Sequence, residues 1–330
     1  MTARLSEDDL IARFFAPLAG EGGLGLRDDA ALLRPDPGHD LILTVDALVA
    51  GVHFFPDDPP GAVAVKALGV NVSDLAAKGA SPAGFLLSLA LPDEWTEPWL
   101  AAFAAGLGEA ARAFACPLLG GDTVRANGPL SLSVTAVGQV PEGRMVRRAA
   151  ARTGDRLCVT GTIGDAALGL DVLKGGAVAV TLAGDSLARG KLIDRYRVPQ
   201  PRTALAQAIR DHATAAMDVS DGFAGDLAKL CAASGVSAAI DAAGVPLSDT
   251  AQSLLTGGAV GIEAILSGGD DYEILCTIPE NRFDAFEAAA RLAGVPVSSV
   301  GTVLAGSAAP RFIDAGGAEI VLPRLSYSHF

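Results

Sequence analysis

Leu41-Ile42-Leu43-Thr44-Val45-Asp46 (LILTVD, 41–46) is an aliphatic and β-branched run that stops at an aspartate. It reads as a buried strand with an acid at its carboxyl end. Downstream, helical periodicity covers about 62–78, with Gly79 as the C′ residue and Pro82 blocking continuation. A second helix spans 98–115, where Trp99, Phe103, Leu107, Ala110 and Phe114 share one face. Residues 130–137 alternate apolar with Ser and Thr, as in a half-buried strand.

The pattern breaks over 141–155, where Pro141, Gly143 and Gly154 accompany Arg144, Arg147, Arg148 and Arg152. Beyond it strands are expected at 156–160, 215–219, 273–278 and 297–303, and helices at 165–173, 221–234 and 281–292. Strand and helix in alternation, twice over, imply an α/β (α+β) fold of two tandem domains, residues 1–143 and 144–330.

Composition narrows the functions available. Half of the 330 residues are apolar but only 5% are aromatic, so the core must be aliphatic. The net charge of −13 disfavours nucleic acid and anionic lipid as partners, and any anionic substrate would need a local counter-charge. Cys116, Cys158, Cys231 and Cys276 lie far apart in apolar stretches, which suits buried thiols in a reducing cytosol better than a disulfide frame or zinc site. Residues 1–15 read as an amphipathic helix with Ser6 as N-cap and Asp9 at N3, not as a signal peptide. No apolar run reaches spanning length, so the expectation is a soluble, cytoplasmic protein without a membrane partner.

Chemistry is signalled by where the aspartates fall. Asp28-Asp29, Asp46, Asp122, Asp218, Asp221 and Asp270-Asp271 stand at element junctions beside Gly or small residues, and Asp74 lies inside an apolar helix. Asn71, Asp74 and Lys78, spaced i, i+3, i+7, share one helix face, as a ligand face or as an exposed polar stripe. A single junction Asp is most often a cap or turn former, a role open to Asp165 and Asp221. So many at analogous ends of α/β strands point instead to a ligand crevice. Clustered carboxylates cannot all ionise unaided, and Mg²⁺ bridging to nucleotide phosphates removes the conflict. Gly120-Gly121 and Gly268-Gly269 would let the backbone approach that ligand. Other phosphate and hydrolase signatures are missing. The stretch 184–191 has one residue too many for a P-loop, and His39, His53, His212 and His329 are scattered.

The ordered motifs Asp28-Asp29-Ala30-Ala31, Thr44-Val45-Asp46, Gly51-Val52-His53-Phe54, Asn71-Val72-Ser73-Asp74, Gly120-Gly121-Asp122-Thr123, Met217-Asp218-Val219-Ser220-Asp221-Gly222, Ser267-Gly268-Gly269-Asp270-Asp271-Tyr272-Glu273 and the terminal Tyr327-Ser328-His329-Phe330 resemble those of thiamine-monophosphate kinases. That family belongs to the superfamily of aminoimidazole ribonucleotide synthetase and selenophosphate synthetase. The resemblance implies two α/β domains of that type, a homodimer formed through the N-terminal domain, and a site between the domains. It implies ATP-dependent phosphorylation of thiamine monophosphate to thiamine diphosphate by direct in-line transfer, assisted by several Mg²⁺ ions and without a covalent nucleophile. Carried over by motif, Asp29, Thr44, Asp46, Asp74, Asp122, Asp218 and Asp221 would be magnesium ligands. Gly121, Asp122, Arg148 and Ser220 would contact ATP, and His53, Asp270 and Tyr327 would line the thiamine site. Three positions depart from the family pattern: Arg27 for a Gly, Val45 for a hydroxyl residue, and Val124 for a Thr. Another ATP-using member of the superfamily is the nearest alternative, and a non-catalytic metal- or nucleotide-binding dimer is the alternative from a different class.

Overall fold

The computed structural model describes residues 6–326. The terminal Tyr327 to Phe330 motif and the first part of the expected N-terminal helix therefore lie outside the described residues. The expected cap is present, since Ser6 accepts from the Asp9 N–H at 3.2 Å and donates to its carboxylate at 2.6 Å. The α-helix it starts, α1 (Glu7–Leu10), lasts one turn, then widens to a π-helix over Ile11–Phe15 and tightens at Ala16–Leu18, where Pro17 removes a donor.

The chain divides into two compact units: the described residues up to Leu75 with Ala80–Gly143, and Ala76–Gly79 with everything from Arg144 on. In the first, β1 (His39–Val49), α2 (Pro60–Ala77), β2 (Ser81–Leu91), α3 (Glu97–Ala113), β3 (Leu118–Arg125) and β4 (Ser131–Pro141) form a four-stranded sheet of order β1-β4-β2-β3 with two helices. β2 and β3 run parallel, joined through α3, while β4 is antiparallel to both β1 and β2. Thr96 starts α3 by accepting from the Trp99 N–H, and Trp99 stacks on the fully buried Phe103 at 5.3 Å.

Two expectations change here. The strand at 41–46 extends to eleven residues and is buried on one face only. Leu43 and Val45 are 66% and 61% exposed, and Leu41 joins them, while Ile42 and Leu48 point to the core. The apolar run therefore reflects an uncovered sheet face, not a strand buried on both sides. Gly120-Gly121-Asp122 lies inside strand β3 and not at an element junction. A Cβ on Gly121 would sit 1.8 Å from the Leu87 carbonyl of β2, so strand pairing itself requires the glycine.

The second unit contains β5 (Arg156–Thr160), α4 (Asp165–Leu173), α5 (Ala177–Thr181), α6 (Ser186–Arg197), α7 (Ala206–His212), β6 (Ala215–Asp218), α8 (Phe223–Ser234), β7 (Ser237–Asp241), α9 (Asp249–Thr256), α10 (Ile262–Leu266), β8 (Ile274–Ile278), α11 (Phe283–Leu292), β9 (Val297–Leu304), β10 (Arg311–Ile313) and β11 (Glu319–Ile320). Its seven-stranded sheet has the order β11-β10-β7-β9-β5-β8-β6 and is mainly antiparallel. Both faces are covered. Leu157, Val159, Met217 and Leu275 pack with Phe223 and Phe312 in one cluster, and Cys158, Ala216, Ile274 and Cys276 with Phe286 in another. Double coverage explains why β5, β6 and β8 read as continuous apolar runs. The stretch 184–191 is the start of α6, N-capped by Asp185, as its failed P-loop spacing implies.

No described helix is long and apolar enough to cross a membrane. All four cysteines are free and buried. Burial pushes the Cys116 and Cys158 thiols up to about 12 and Cys231 up to about 11, and raises Cys276 as well. Because the thiolate is the reactive form, none of the four should react with a thiol reagent at pH 8 within minutes in the native protein. All four should react after denaturation, counted by mass spectrometry.

Candidate functional site

In the first unit, one group of predicted residues gathers where β1 meets α2. Thr44 Oγ1 donates to Asp74 Oδ2 at 2.6 Å, and Asn71 Oδ1 accepts from the Asp46 N–H at 3.0 Å. Asn71 is fully buried and its amide also donates to the Ala67 carbonyl at 3.0 Å, which fixes which end faces the strand. Ser133 Oγ on β4 donates to the Asp46 carbonyl at 3.1 Å. The exposed-stripe reading of Asn71 and Asp74 is thus overturned, since both tie their helix to β1. Lys78 is not part of that face, because its ammonium donates to Ala216 O at 2.7 Å within the second unit. His53 follows in the turn after β1, where Nδ1 accepts from the Val49 N–H at 3.1 Å.

Asp122 belongs to the other edge of the sheet. It lies in β3, in the row Asp122–Ser88–Ser133–Ala47, and that row shares its face with Val45 and not with Thr44 and Asp46. Asp29 is in an exposed loop whose backbone N–H donates to Asp28 Oδ1 at 2.8 Å. The segment before it is pinned to β3 through the Gly20 N–H to Leu118 O bond at 2.8 Å. Edge strand to edge strand is three inter-strand steps, roughly 14 Å at the usual spacing. Among the described residues no three acidic, His or Cys side chains converge to hold a metal ion. Thr44, Asp46 and Asp74 therefore stand together at the β1 edge, and Asp122 stands apart from them at the β3 edge. Hydroxyl and carboxylate oxygens are what a hard divalent cation prefers, so these residues suit Mg²⁺ in kind.

In the second unit, the turn after β6 and the approach to β8 are laced by backbone. Val219 N–H donates to Glu273 O, Tyr272 N–H to Val219 O, and Asp270 N–H to Ser220 O, each at 2.8 Å. Asp218, Ser220, Asp221 and Asp270 are thereby brought together. Gly269 allows the approach, since a Cβ there would meet Ser220 O at 2.5 Å, so these glycines serve the protein's own backbone. Asp270 and Tyr272 adopt left-handed φ of 69° and 51°, and Tyr272 Oη donates to Asp270 Oδ1 at 3.1 Å.

Between them Asp271 points inward, and two capping expectations change. Asp271 accepts from the Gly164 N–H at 2.8 Å and the Ala166 N–H at 3.4 Å, so it caps α4 where Asp165 was the candidate. Asp165 instead accepts from Thr162 and Ser248. Burial pushes the Asp271 carboxyl well above the usual range, against the pull of the Gly164 N–H. Nor does Asp221 cap α8: both the Ser220 and Asp221 N–H groups donate to Asp226 Oδ2 at 2.9 Å. Desolvation raises the Asp226 carboxyl, opposed by its hydrogen bond from Lys229. Burial works to lower Lys229, but hydrogen bonds to Asp221 and Asp226 hold it above an ordinary lysine. Arg148 lies in the exposed segment before β5, its carbonyl accepting from Ser234 Oγ at 2.9 Å.

Glu273 is fully buried and its carboxylate accepts from Thr160 Oγ1 at 2.6 Å, Arg195 at 2.9 Å, and Arg202 twice at 2.7 and 2.5 Å. The two arginines had no local signal in the sequence, because α6 and the segment after it reach Glu273 only through the fold. Asp226 had a faint one, an acid five residues after Asp221 in an otherwise apolar helix start.

Groups of oxygen donors on two α/β units are of the kind that hold phosphate through hard cations. Residues 27–140 match the AIR synthase related protein, N-terminal domain, and 152–312 the AIR synthase related protein, C-terminal domain. The chain is 42% identical over 329 residues to the thiamine-monophosphate kinase of Caulobacter vibrioides, covering 98% of this chain and 91% of that relative. The crystal structure of thiamine-monophosphate kinase from Stenotrophomonas maltophilia is 39% identical with a TM-score of 0.78, covering 89% and 91% of the two chains. AaThiL complexed with AMPPCP and TMP is 32% identical with a TM-score of 0.77, covering 100% of both. The chain belongs to the thiamine-monophosphate kinase family.

Removing the charge of Glu273 leaves Arg195 and Arg202 uncompensated in the interior. Glu273→Gln should cost about 3–5 kcal/mol of unfolding free energy, measured by urea denaturation. A loss below about 1 kcal/mol would show that the network adds little.

Proposed function

We propose that the protein transfers the γ-phosphoryl group of ATP to thiamine monophosphate, giving thiamine diphosphate and ADP. The observation that carries this is the near-full-length likeness to thiamine-monophosphate kinases, including the AMPPCP and TMP complex, on a chain whose predicted acids are all present. A terminal phosphate oxygen of thiamine monophosphate attacks the γ-phosphorus as the bond to the β-bridging oxygen breaks, in line and without a covalent enzyme intermediate. That needs no protein nucleophile.

The chain's own contribution is positioning and charge. Thr44, Asp46 and Asp74 form one oxygen-donor group, Asp122 a second, and Asp218 and Asp221 a third; Asp29 is a further ligand in this reading. Separate groups fit several Mg²⁺ ions better than one. When bound, Mg²⁺ supplies charge neutralisation along the triphosphate. Gly121, Asp122 and Ser220 serve the nucleotide, and Arg148, exposed and cationic, serves its phosphates. Asp270 and His53 serve the thiamine moiety, whose cationic thiazolium suits a carboxylate; Tyr327 joins them in this reading. Residues 1–143 act as the nucleotide, magnesium and dimerisation domain, and 144–330 complete the substrate and phosphate site.

The working form is a cytoplasmic homodimer. Its support is the open face of the first unit's sheet, where Leu41, Leu43 and Val45 of β1, Leu86 of β2 and Val124 of β3 are exposed together. The net charge of −13 makes nucleic acid an unfavourable partner.

Two measurements decide the reading. Purified protein with ATP, Mg²⁺ and thiamine monophosphate should release ADP in a coupled assay, and Asp122→Asn should lower kcat by about a hundredfold or more with an unchanged circular dichroism spectrum. Bound ATP without turnover would favour a non-catalytic nucleotide-binding dimer. Leu43→Asp combined with Val45→Asp should halve the mass in sedimentation equilibrium; a wild-type chain already monomeric at micromolar concentration would refute the dimer.

A further inference from the structure

Lys229 stands where the negative charge of the β6–α8 turn converges. From α8 its ammonium donates to Asp221 Oδ2 at 2.5 Å and to Asp226 Oδ1, three residues back on the same helix, at 2.8 Å. The other oxygen of Asp226 takes the Ser220 and Asp221 N–H groups. The two carboxylates are not equivalent. Asp226 is fully buried and committed through both oxygens to the turn and the ammonium, whereas the Asp221 side chain is 40% exposed.

An isolated surface ion pair would contribute little. This one differs, because a single ammonium bridges two carboxylates and one of them is locked by backbone donors. It holds a cation against Asp221, the oxygen donor that the family resemblance assigns to a metal. A divalent ion needs the same oxygen, and the two cations repel when close.

We propose that Lys229 is a positioning residue that acts as the resident counter-ion of Asp221. It keeps the carboxylate oriented and compensated while no metal is bound, and Asp226 retains the ammonium when Asp221 turns to a divalent cation. Divalent binding at this turn is then a cation exchange, weaker than the carboxylates alone would give. Lys229 sets how much free divalent ion the protein requires. The proposal rests on the reading of Asp221 as a metal ligand, and the test separates the two.

The experiment is Mn²⁺ binding to the full chain, without nucleotide, followed by electron paramagnetic resonance for wild type, Asp221→Asn, Lys229→Met, Lys229→Gln and Lys229→Arg. Asp221→Asn should weaken one class of site about tenfold. Lys229→Met and Lys229→Gln should tighten that same class about three- to tenfold, Lys229→Arg should match wild type, and the free Mg²⁺ giving half-maximal turnover should fall in parallel for the neutral variants. If Asp221→Asn binds Mn²⁺ like wild type, the ligand reading fails and the Lys229 proposal fails with it. If Asp221→Asn weakens binding but neither neutral Lys229 variant tightens it, the Lys229 proposal alone is overturned and the ammonium is an ordinary ion pair. Lys229 is 40% exposed, and two neutral variants keep the test decisive should one fold poorly.

Discussion

The Glu273 carboxylate, buried at the entrance to β8, is the constraint on which the second unit's site depends. Its charge is tolerable there only because Arg195, Arg202 and Thr160 surround it. With Glu273 fixed, the residues before it have little freedom. Asp271 turns inward to cap α4, and Asp270 and Tyr272 are forced outward in left-handed backbone. The same segment hydrogen-bonds Val219 and Ser220, so the acidic turn and Asp270 are set by one buried ion cluster. Strain in the half-buried pair Asp270 and Tyr272 is offset by hydrogen bonds and ion pairs of the buried pair Asp271 and Glu273.

Charge management recurs across the molecule. A chain carrying −13 that gathers acids at its functional turns must compensate them or lose their ionisation. It does so locally and in different ways. Thr44 donates to Asp74, backbone donors and Lys229 hold Asp226, and Lys229 reaches Asp221. None of these partners reaches Asp29 or Asp122, and both residues are exposed.

Much of this was legible in the sequence, where local rules dominate. Helix α4 and strand β5 fall where periodicity predicts, because their apolar pattern and flanking glycines agree with their burial. Ser6 caps as read, and the 184–191 stretch fails as a P-loop as its spacing says. The misreadings share a cause. Gly120-Gly121 was read at an element junction, yet pairing with β2 puts it inside a strand, where a neighbouring carbonyl leaves no room for a Cβ on Gly121. Asp165 and Asp221 looked like caps, but Asp271, more than a hundred residues from Asp165, takes the N–H groups at the start of α4, and Asp226, five residues after Asp221, takes the N–H groups of the turn before α8. Periodicity along a chain says nothing about which side chain arrives from elsewhere.

By itself the sequence determined the α/β alternation, the aliphatic core, the buried thiols and which residues carry oxygen donors, because each of these follows from local pattern and side-chain type. Only the tertiary structure decided how those donors are grouped. Sheet order put β1 and β3 on opposite edges, so Asp46 and Asp122 belong to different groups although both follow apolar runs. Pairing between the β6 turn and the β8 approach joined Asp221 to Asp270 across some fifty residues of chain. The physical reason is that side-chain chemistry is a property of each residue, whereas proximity depends on which strands pair, and pairing is settled by burial across the whole sheet.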